Sequence, residues 1–276
     1  MNFGKKLEKI IKKNNSLLSI GLDPDLEKIP KHLRKYKDPI FSFNKQIINT
    51  THDLVCAFKP QIAHYSASGI RGIESLLKTI NYLNRTYPQI PIILDSKRAD
   101  IGSTARLYAK EAFDVFNADA VTVNPYFGLD SLKPFMERKD KGVIILCRTS
   151  NKSASDFQDL EISSDNLPLY IHIAKEVKKW NEIYKNCMLV VGATWQEQLR
   201  EIRKIVPDMF FLVPGIGAQG GNLKKTLKNG LRKDKSGLII HTSRAIIYSS
   251  SKPNFASSAR KEALKLKEAI NKYRYE

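Results

Sequence analysis

Eight short apolar runs, each followed by a stretch of helical period, constrain what this 276-residue chain can fold into more than any other feature. The runs are Leu17 to Gly21, Val55 to Pro60, Pro91 to Asp95, Ala120 to Asn124, Gly142 to Cys147, Cys187 to Ala193, Met209 to Gly215 and Gly237 to Thr242. Between them apolar residues recur at three and four, as in Ile70, Ile73, Leu77, Ile80 and Leu83, or Ile171, Ala174 and Val177. The stretch from Ala256 to Tyr275, with Ala263, Leu266, Ile270 and Tyr273 on one stripe, completes the eighth unit. Strands this apolar are covered on both faces, the habit of parallel sheets. Eight such units predict an α/β fold: one closed (β/α)8 barrel of the TIM type, a single domain over 1–276. A short amphipathic helix at 1–15, with Phe3, Leu7, Ile10 and Ile11 on one side, precedes the barrel, and a long active-site loop is expected at about 150–167.

In this fold active sites sit at the carboxyl ends of the strands, so the strand exits carry the functional information. The third reads L-D-S-K-R-A-D-I-G-S-T, with Asp95, Lys97, Arg98 and Asp100 crowded behind a buried strand. Charges held side by side there are costly unless paired, and functional sites commonly carry that cost. If strand geometry persists, Asp95 and Lys97 point to the same side, while Asp100 and Thr104 share a face of the following helix. The other exits present Asp23, then Lys59 and Gln61, then Arg148, Thr149 and Ser150, then a glycine-rich P-G-I-G-A-Q-G-G, and finally His241 and Arg244. So many polar exits converging on one mouth point to catalysis.

Gly215, Gly217 and Gly220 spell G-x-G-x-x-G, with Asp234 further along. That fingerprint opens a Rossmann unit, whereas here it follows six βα units, and Asp234 lies in a lysine-rich loop. In a barrel the same glycines suit a phosphate cradle, with Gln219 donating and Arg244 clamping two oxygens. A phosphorylated substrate follows. The loop after the fifth strand reads as a lid over the phosphate, with Gln158 as a weak contact.

Lys+Arg of 46 against Asp+Glu of 28 gives a net charge of +18, which favours anionic ligands. The basic residues are dispersed along predicted helices, without an RNA-recognition signature, so they read as a solvated surface. No apolar run is long enough to span a membrane, and the basic amino terminus lacks the features of a secretory signal. Cys56, Cys147 and Cys187 lie in apolar runs without metal-ligand spacing, which suits core packing in a reducing compartment; a cytoplasmic location is expected.

Taken in order, G-L-D-P, F-K-P, I-L-D-S-K-R-A-D-I-G-S-T-A, T-V-N-P-Y, C-R-T-S-N, V-V-G-A-T, V-P-G-I-G-A-Q-G-G and S-R-A-I span almost the whole chain. They resemble orotidine-5'-monophosphate decarboxylases, specifically the longer, type 2 branch of that family. The resemblance implies a cofactor-free lyase of pyrimidine biosynthesis that converts orotidine 5'-monophosphate to uridine 5'-monophosphate. It implies that Lys59, Asp95, Lys97 and Asp100 form the charged catalytic array, with Lys97 the proton donor to C6. Asp100, Ile101 and Thr104 would reach into the neighbouring subunit's site, making a homodimer with composite active sites. Asp23 would bind ribose hydroxyls and Ser150 the pyrimidine edge, with Thr149 beside it. Gln219 and Arg244 would hold the 5'-phosphate, on a loop shaped by Gly217 and Gly220. Gln61 departs from relatives that often carry Asn there.

Two rival readings stand beside this one. Magnesium-dependent sugar-phosphate decarboxylases and aldolases of the same barrel group share D-x-K-x-x-D, but they carry an acidic metal ligand where Lys59 stands, and a lysine repels the metal. A non-enzymatic, RNA-binding barrel is motivated by the charge alone, and the intact catalytic array speaks against it.

Overall fold

The structure is a computed structural model that describes residues 1–163, 166–216 and 220–276. All eight expected strands form: β1 Leu18–Leu22, β2 Ala57–Pro60, β3 Ile93–Arg98, β4 Ala120–Val123, β5 Gly142–Arg148, β6 Cys187–Val191, β7 Phe211–Pro214 and β8 Leu238–Thr242. They pair in parallel in the order β2-β1-β8-β7-β6-β5-β4-β3. The ring closes between β2 and β3 through two isolated bridges, Phe58 to Ile92 and Gln61 to Asp95. Every residue of β1, β2, β4, β6 and β8 is buried, as strands wrapped by helices must be. Each fully buried Val, Leu or Ile side chain contributes about 1.5–3 kcal/mol, and the core they form joins the strands to the buried faces of the helices.

The amino-terminal helix Phe3–Asn14 seals the end of the barrel opposite the strand exits. Its buried face is the expected Phe3, Leu7, Ile10 and Ile11, and Asn2 caps it by accepting from the Lys5 N–H at 3.0 Å. Phe3 lies against Gly142 at the start of β5, where an added Cβ would come within 2.4 Å of the ring. Lys6 pairs at 2.8 Å with Asp119, which also accepts the Ile92 backbone N–H.

Two helical details differ from expectation. In helix Gly69–Thr86 the buried face includes Ser75, Leu76, Thr79, Ile80 and Leu83, while Ile70 is exposed. The two hydroxyls go inward because they have partners: Thr79 accepts from buried Asn44, and Ser75 donates to Asp38. The loop after β5 also has structure of its own, with a turn Lys152–Ala154, a helical turn Ser155–Gln158 and an antiparallel pair, Glu161–Ile162 with Leu167–Pro168. These elements are too short to leave a periodic signal. Helices Leu169–Tyr184 and Phe255–Tyr275 bury the expected Ile171, Ala174 and Val177, and Ala263 and Ile270. The three cysteines are buried and unpaired. No helix among the described residues is long and apolar enough to cross a membrane.

Candidate active site

At the carboxyl ends of the strands lies a cavity of about 300 Å³ with a charged floor and an apolar wall. Lys59, Asp95, Lys97, Thr122 and His241 form the floor, Leu146, Val190, Leu212 and Pro214 the wall, and Thr149, Ser150 and Asn151 one rim. Asp95, 7% exposed and the last buried residue of β3, is the centre of the floor. Its Oδ2 accepts from Lys59 Nζ at 2.5 Å and its Oδ1 from Lys97 Nζ at 2.5 Å and Thr122 Oγ1 at 2.7 Å. Burial alone would push the Asp95 carboxyl up, but the two ammonium groups outweigh it and hold the group far below the usual carboxylate range. Burial likewise works against the charge on Lys59, 4% exposed, yet Asp95 and then Asp23 leave its pKa raised.

Lys97 reaches Asp95 by a route other than regular strand alternation. Its φ is +51°, uncommon for a residue with a Cβ, and the pairing of β3 with β4 shifts register between Leu94 and Arg98. Such a conformation costs of order 1–3 kcal/mol and persists only where its surroundings over-determine it. Thr122 does this: its Oγ1 accepts the Ser96 N–H at 3.0 Å and the Lys97 N–H at 3.1 Å while donating to Asp95. Downstream, Arg98 pairs with Glu111 at 3.3 Å and covers the Tyr108 ring.

Thr122 is not among the site residues the sequence predicts; its one signal is a lone hydroxyl in the apolar run A-V-T-V. Thr122→Val keeps the shape but orphans two N–H groups. It should cost about 1–3 kcal/mol in chemical unfolding and lower kcat/KM about 100-fold, with the cavity still formed.

His241, at the end of β8, is a second floor residue. Its Nδ1 lies 3.4 Å from Ser19 Oγ, and burial, reinforced by Lys59, holds its pKa well below the usual histidine value, so it is neutral near pH 7.

The structure brings Lys59, Asp95, Lys97, Thr149 and Ser150 together on the cavity, while the described residues Asp23, Asp100, Ile101, Thr104, Gly220 and Arg244 are outside its lining. Asp23 follows β1; its Oδ1 is buried without a hydrogen-bond partner among the described residues, an acceptor available to a ligand hydroxyl. An added Cβ at Gly21 would meet Asp23 Oδ2 at 2.8 Å and Ser243 at 2.5 Å, so only glycine fits beside them. Arg244, at the start of the short helix Arg244–Ile247, is exposed and has no side-chain partner among the described residues. Gly215 and Gly220 take φ of +104° and +79°, and the Gly221 N–H bonds the Gly215 carbonyl at 3.0 Å, pinching the neck of the glycine-rich loop. Gly217 and Gln219 lie outside the described residues. Gln61 accepts from the Ala63 N–H and caps the short helix Ile62–Ser66. Gln158 is turned onto Thr149 and Arg148 and does not line the cavity.

Asp100 does not join the floor of its own barrel. It precedes helix Gly102–Lys110 and so does not share a helical face with Thr104; its Oδ1 accepts the Ile101 N–H at 2.7 Å, and it makes no ion pair with Lys97. Ile101, 60% exposed, stands beside it.

A parallel eight-stranded barrel with a lysine–aspartate–lysine array at the carboxyl ends of its strands defines a class: (β/α)8 barrels whose polar site opens at that face. Residues 16–259 match the model of the orotidine 5'-phosphate decarboxylase / HUMPS family, and the chain belongs to this family. It is 53% identical over 98% of its length, and 98% of the relative's, to orotidine 5'-phosphate decarboxylase of Cellvibrio japonicus (strain Ueda107). Leishmania donovani OMP decarboxylase superposes with a TM-score of 0.86 at 37% identity, each chain fully covered. Leishmania donovani UMP synthase superposes with a TM-score of 0.88 at 39% identity; all of this chain matches 57% of that one.

Proposed function

We propose that the Lys59–Asp95–Lys97 array carries out the decarboxylation of orotidine 5'-monophosphate to uridine 5'-monophosphate, the reaction of this chain's family, with Lys97 as proton donor to C6. The observation that carries this reading is that both lysine ammonium groups lie 2.5 Å from one buried carboxylate at the cavity floor. Loss of CO2 leaves an electron pair at C6 in the plane of the ring, with no adjacent π-acceptor. The enzyme must therefore stabilise localised negative charge and then protonate it. Lys97 suits both tasks: its side chain is 43% exposed and lines the cavity, whereas the Lys59 side chain is only 5% exposed. A fixed ammonium facing a partly apolar cavity acts more strongly than one in water, and it needs no reorganisation as charge develops.

The remaining residues take roles around this centre. The unpartnered Asp23 carboxylate oxygen accepts from the ribose hydroxyls, and Ser150, with Thr149, meets the pyrimidine edge at the rim. Arg244, exposed and without a side-chain partner among the described residues, binds the 5'-phosphate together with Gln219 and the loop through Gly217 and Gly220. Phosphate binding remote from C6 can be used to order the loops and exclude water. No cofactor takes part in this scheme, and the buried, unpaired cysteines suit a reducing, cytoplasmic setting.

Asp100, Ile101 and Thr104 serve a second copy of the chain in this reading. Exposed Ile101, Leu107, Val115, Tyr126, Phe127 and Leu129, on the segments that follow β3 and β4, supply apolar surface for a homodimer contact. Lys97→Ala and Asp100→Ala preparations should each be nearly inactive, yet regain up to about a quarter of wild-type activity per site when unfolded and refolded together, since some mixed dimers assemble one intact site. No regain on mixing, with mixed dimers verified by native mass spectrometry, would remove Asp100 from the neighbour's site.

A further inference from the structure

The geometry points to Arg148 as a positioning residue: with Asp159 and Gln158 of the following loop, it holds the Thr149–Ser150 turn in shape for the pyrimidine ring. This inference rests on the placement of the pyrimidine at that rim. Arg148 is the last residue of β5 and is fully buried. A guanidinium without solvent is costly to bury, and its partners show what it is kept for. Its Nη2 donates to Asp159 Oδ2 at 3.0 Å, its Nη1 to Gln158 Oε1 at 3.2 Å, and its plane lies 3.9 Å from the ring centre of Trp195.

Two of these partners, Gln158 and Trp195, also hold the turn, and Asp159 reaches it only through Arg148. Gln158 Oε1 accepts the Thr149 N–H at 2.9 Å, and its amide nitrogen donates to Thr149 Oγ1 at 2.9 Å. Trp195 Nε1 donates to the Thr149 carbonyl at 2.8 Å, and Thr194 Oγ1 to the Ser150 carbonyl at 3.2 Å. Behind the turn, an added Cβ at Gly192 would sit 2.7 Å from Ser150 Cα, so the exit of β6 leaves room for nothing but glycine. Thr149 and Ser150 are thus fixed through their backbone on one side by the β6 exit and on the other by the loop, leaving the Ser150 hydroxyl, without a protein partner among the described residues, on the cavity rim. Arg148 touches both flanks but not the cavity itself.

Gln158 and Asp159 therefore act through Arg148 and the turn, and the consequence is selective. Loosening them weakens recognition of the base and leaves recognition of the phosphate intact. The test uses the full chain and three proteins: wild type, Gln158→Ala/Asp159→Ala, and Ser150→Ala. Binding of uridine 5'-monophosphate is measured by calorimetry and inhibition by ribose 5-phosphate by kinetics, with folding checked by thermal unfolding. The expected result is about tenfold weaker binding of the nucleotide by both variants, with ribose 5-phosphate inhibition within about twofold of wild type. Nucleotide binding lost in Ser150→Ala but retained in the double variant overturns the role of Arg148 and leaves the pyrimidine rim standing. Retained binding in both variants overturns the rim and the inference together. Equal weakening of both ligands by the double variant means general loosening, and also overturns it.

Discussion

Lys97→Ala should fold, bind uridine 5'-monophosphate within about tenfold of wild type, and lose kcat/KM for orotidine 5'-monophosphate by about 10⁵-fold or more. The size follows from two losses at one atom. Removing a positioned general acid costs about 10²–10⁴-fold, and removing a preorganised charge from the carbanion costs about 10²–10³-fold. The fold survives because Lys97 is the exposed partner of the array; Lys59 and Thr122 still satisfy Asp95 when it is gone. Stopped-flow absorbance of the pyrimidine, beside calorimetric binding of the product, separates chemistry from binding. A variant within about tenfold of wild-type kcat/KM would remove Lys97 from the reaction.

Asp95→Ala should be costlier to the protein as a whole. It strands Lys59, 4% exposed, without its nearest counter-charge, and breaking a buried pair in this way costs about 3–5 kcal/mol. Activity should be abolished as well, because Lys97 loses the carboxylate that aims it. The pH dependence carries a sign. The folded pKa of Asp95 is depressed, so its contribution is present above the unfolded value of about 3.9 and is lost as pH falls toward the folded value. That of Lys59 is raised, so its contribution is present below the unfolded value of about 10.4 and is lost as pH rises through the folded one. Urea unfolding should therefore show a gap between wild type and variant that is steady from about pH 5 to 9 and narrows in stronger acid. A gap that widens as pH falls below about 4 would mean that Asp95 is not the stabilised anion described.

Much of this architecture could be read from residue order, because a barrel strand buried on both faces leaves an apolar run that cannot be confused with its amphipathic neighbours. The expected run at Cys187 to Ala193 overshoots β6 by two residues, since Gly192 and Ala193 are apolar but belong to the turn against Ser150. The site was legible where chemistry forces residue type, as at Asp95, Lys97 and Lys59. It was not legible where backbone geometry decides. Nothing in D-S-K-R announces that Lys97 takes a positive φ, so the strand rule gave the correct neighbours through the wrong conformation. Thr122 carries only a weak sequence signal, because one threonine in a strand is ordinary and only its three hydrogen bonds give it a role. The placement of Gln158 was inverted for a related reason: spacing along a loop says nothing about which way its side chains turn.

The most direct test of the central claim, that Lys97 is the proton donor, is turnover of orotidine 5'-monophosphate by Lys97→Ala with increasing methylammonium. The vacated side-chain space beside Asp95 accepts a small cation, so the account predicts saturable recovery of uridine 5'-monophosphate formation in Lys97→Ala, and none in Lys97→Ala/Asp95→Ala. Equal recovery with and without Asp95, or turnover by Lys97→Ala near the wild-type rate before any amine is added, would contradict it.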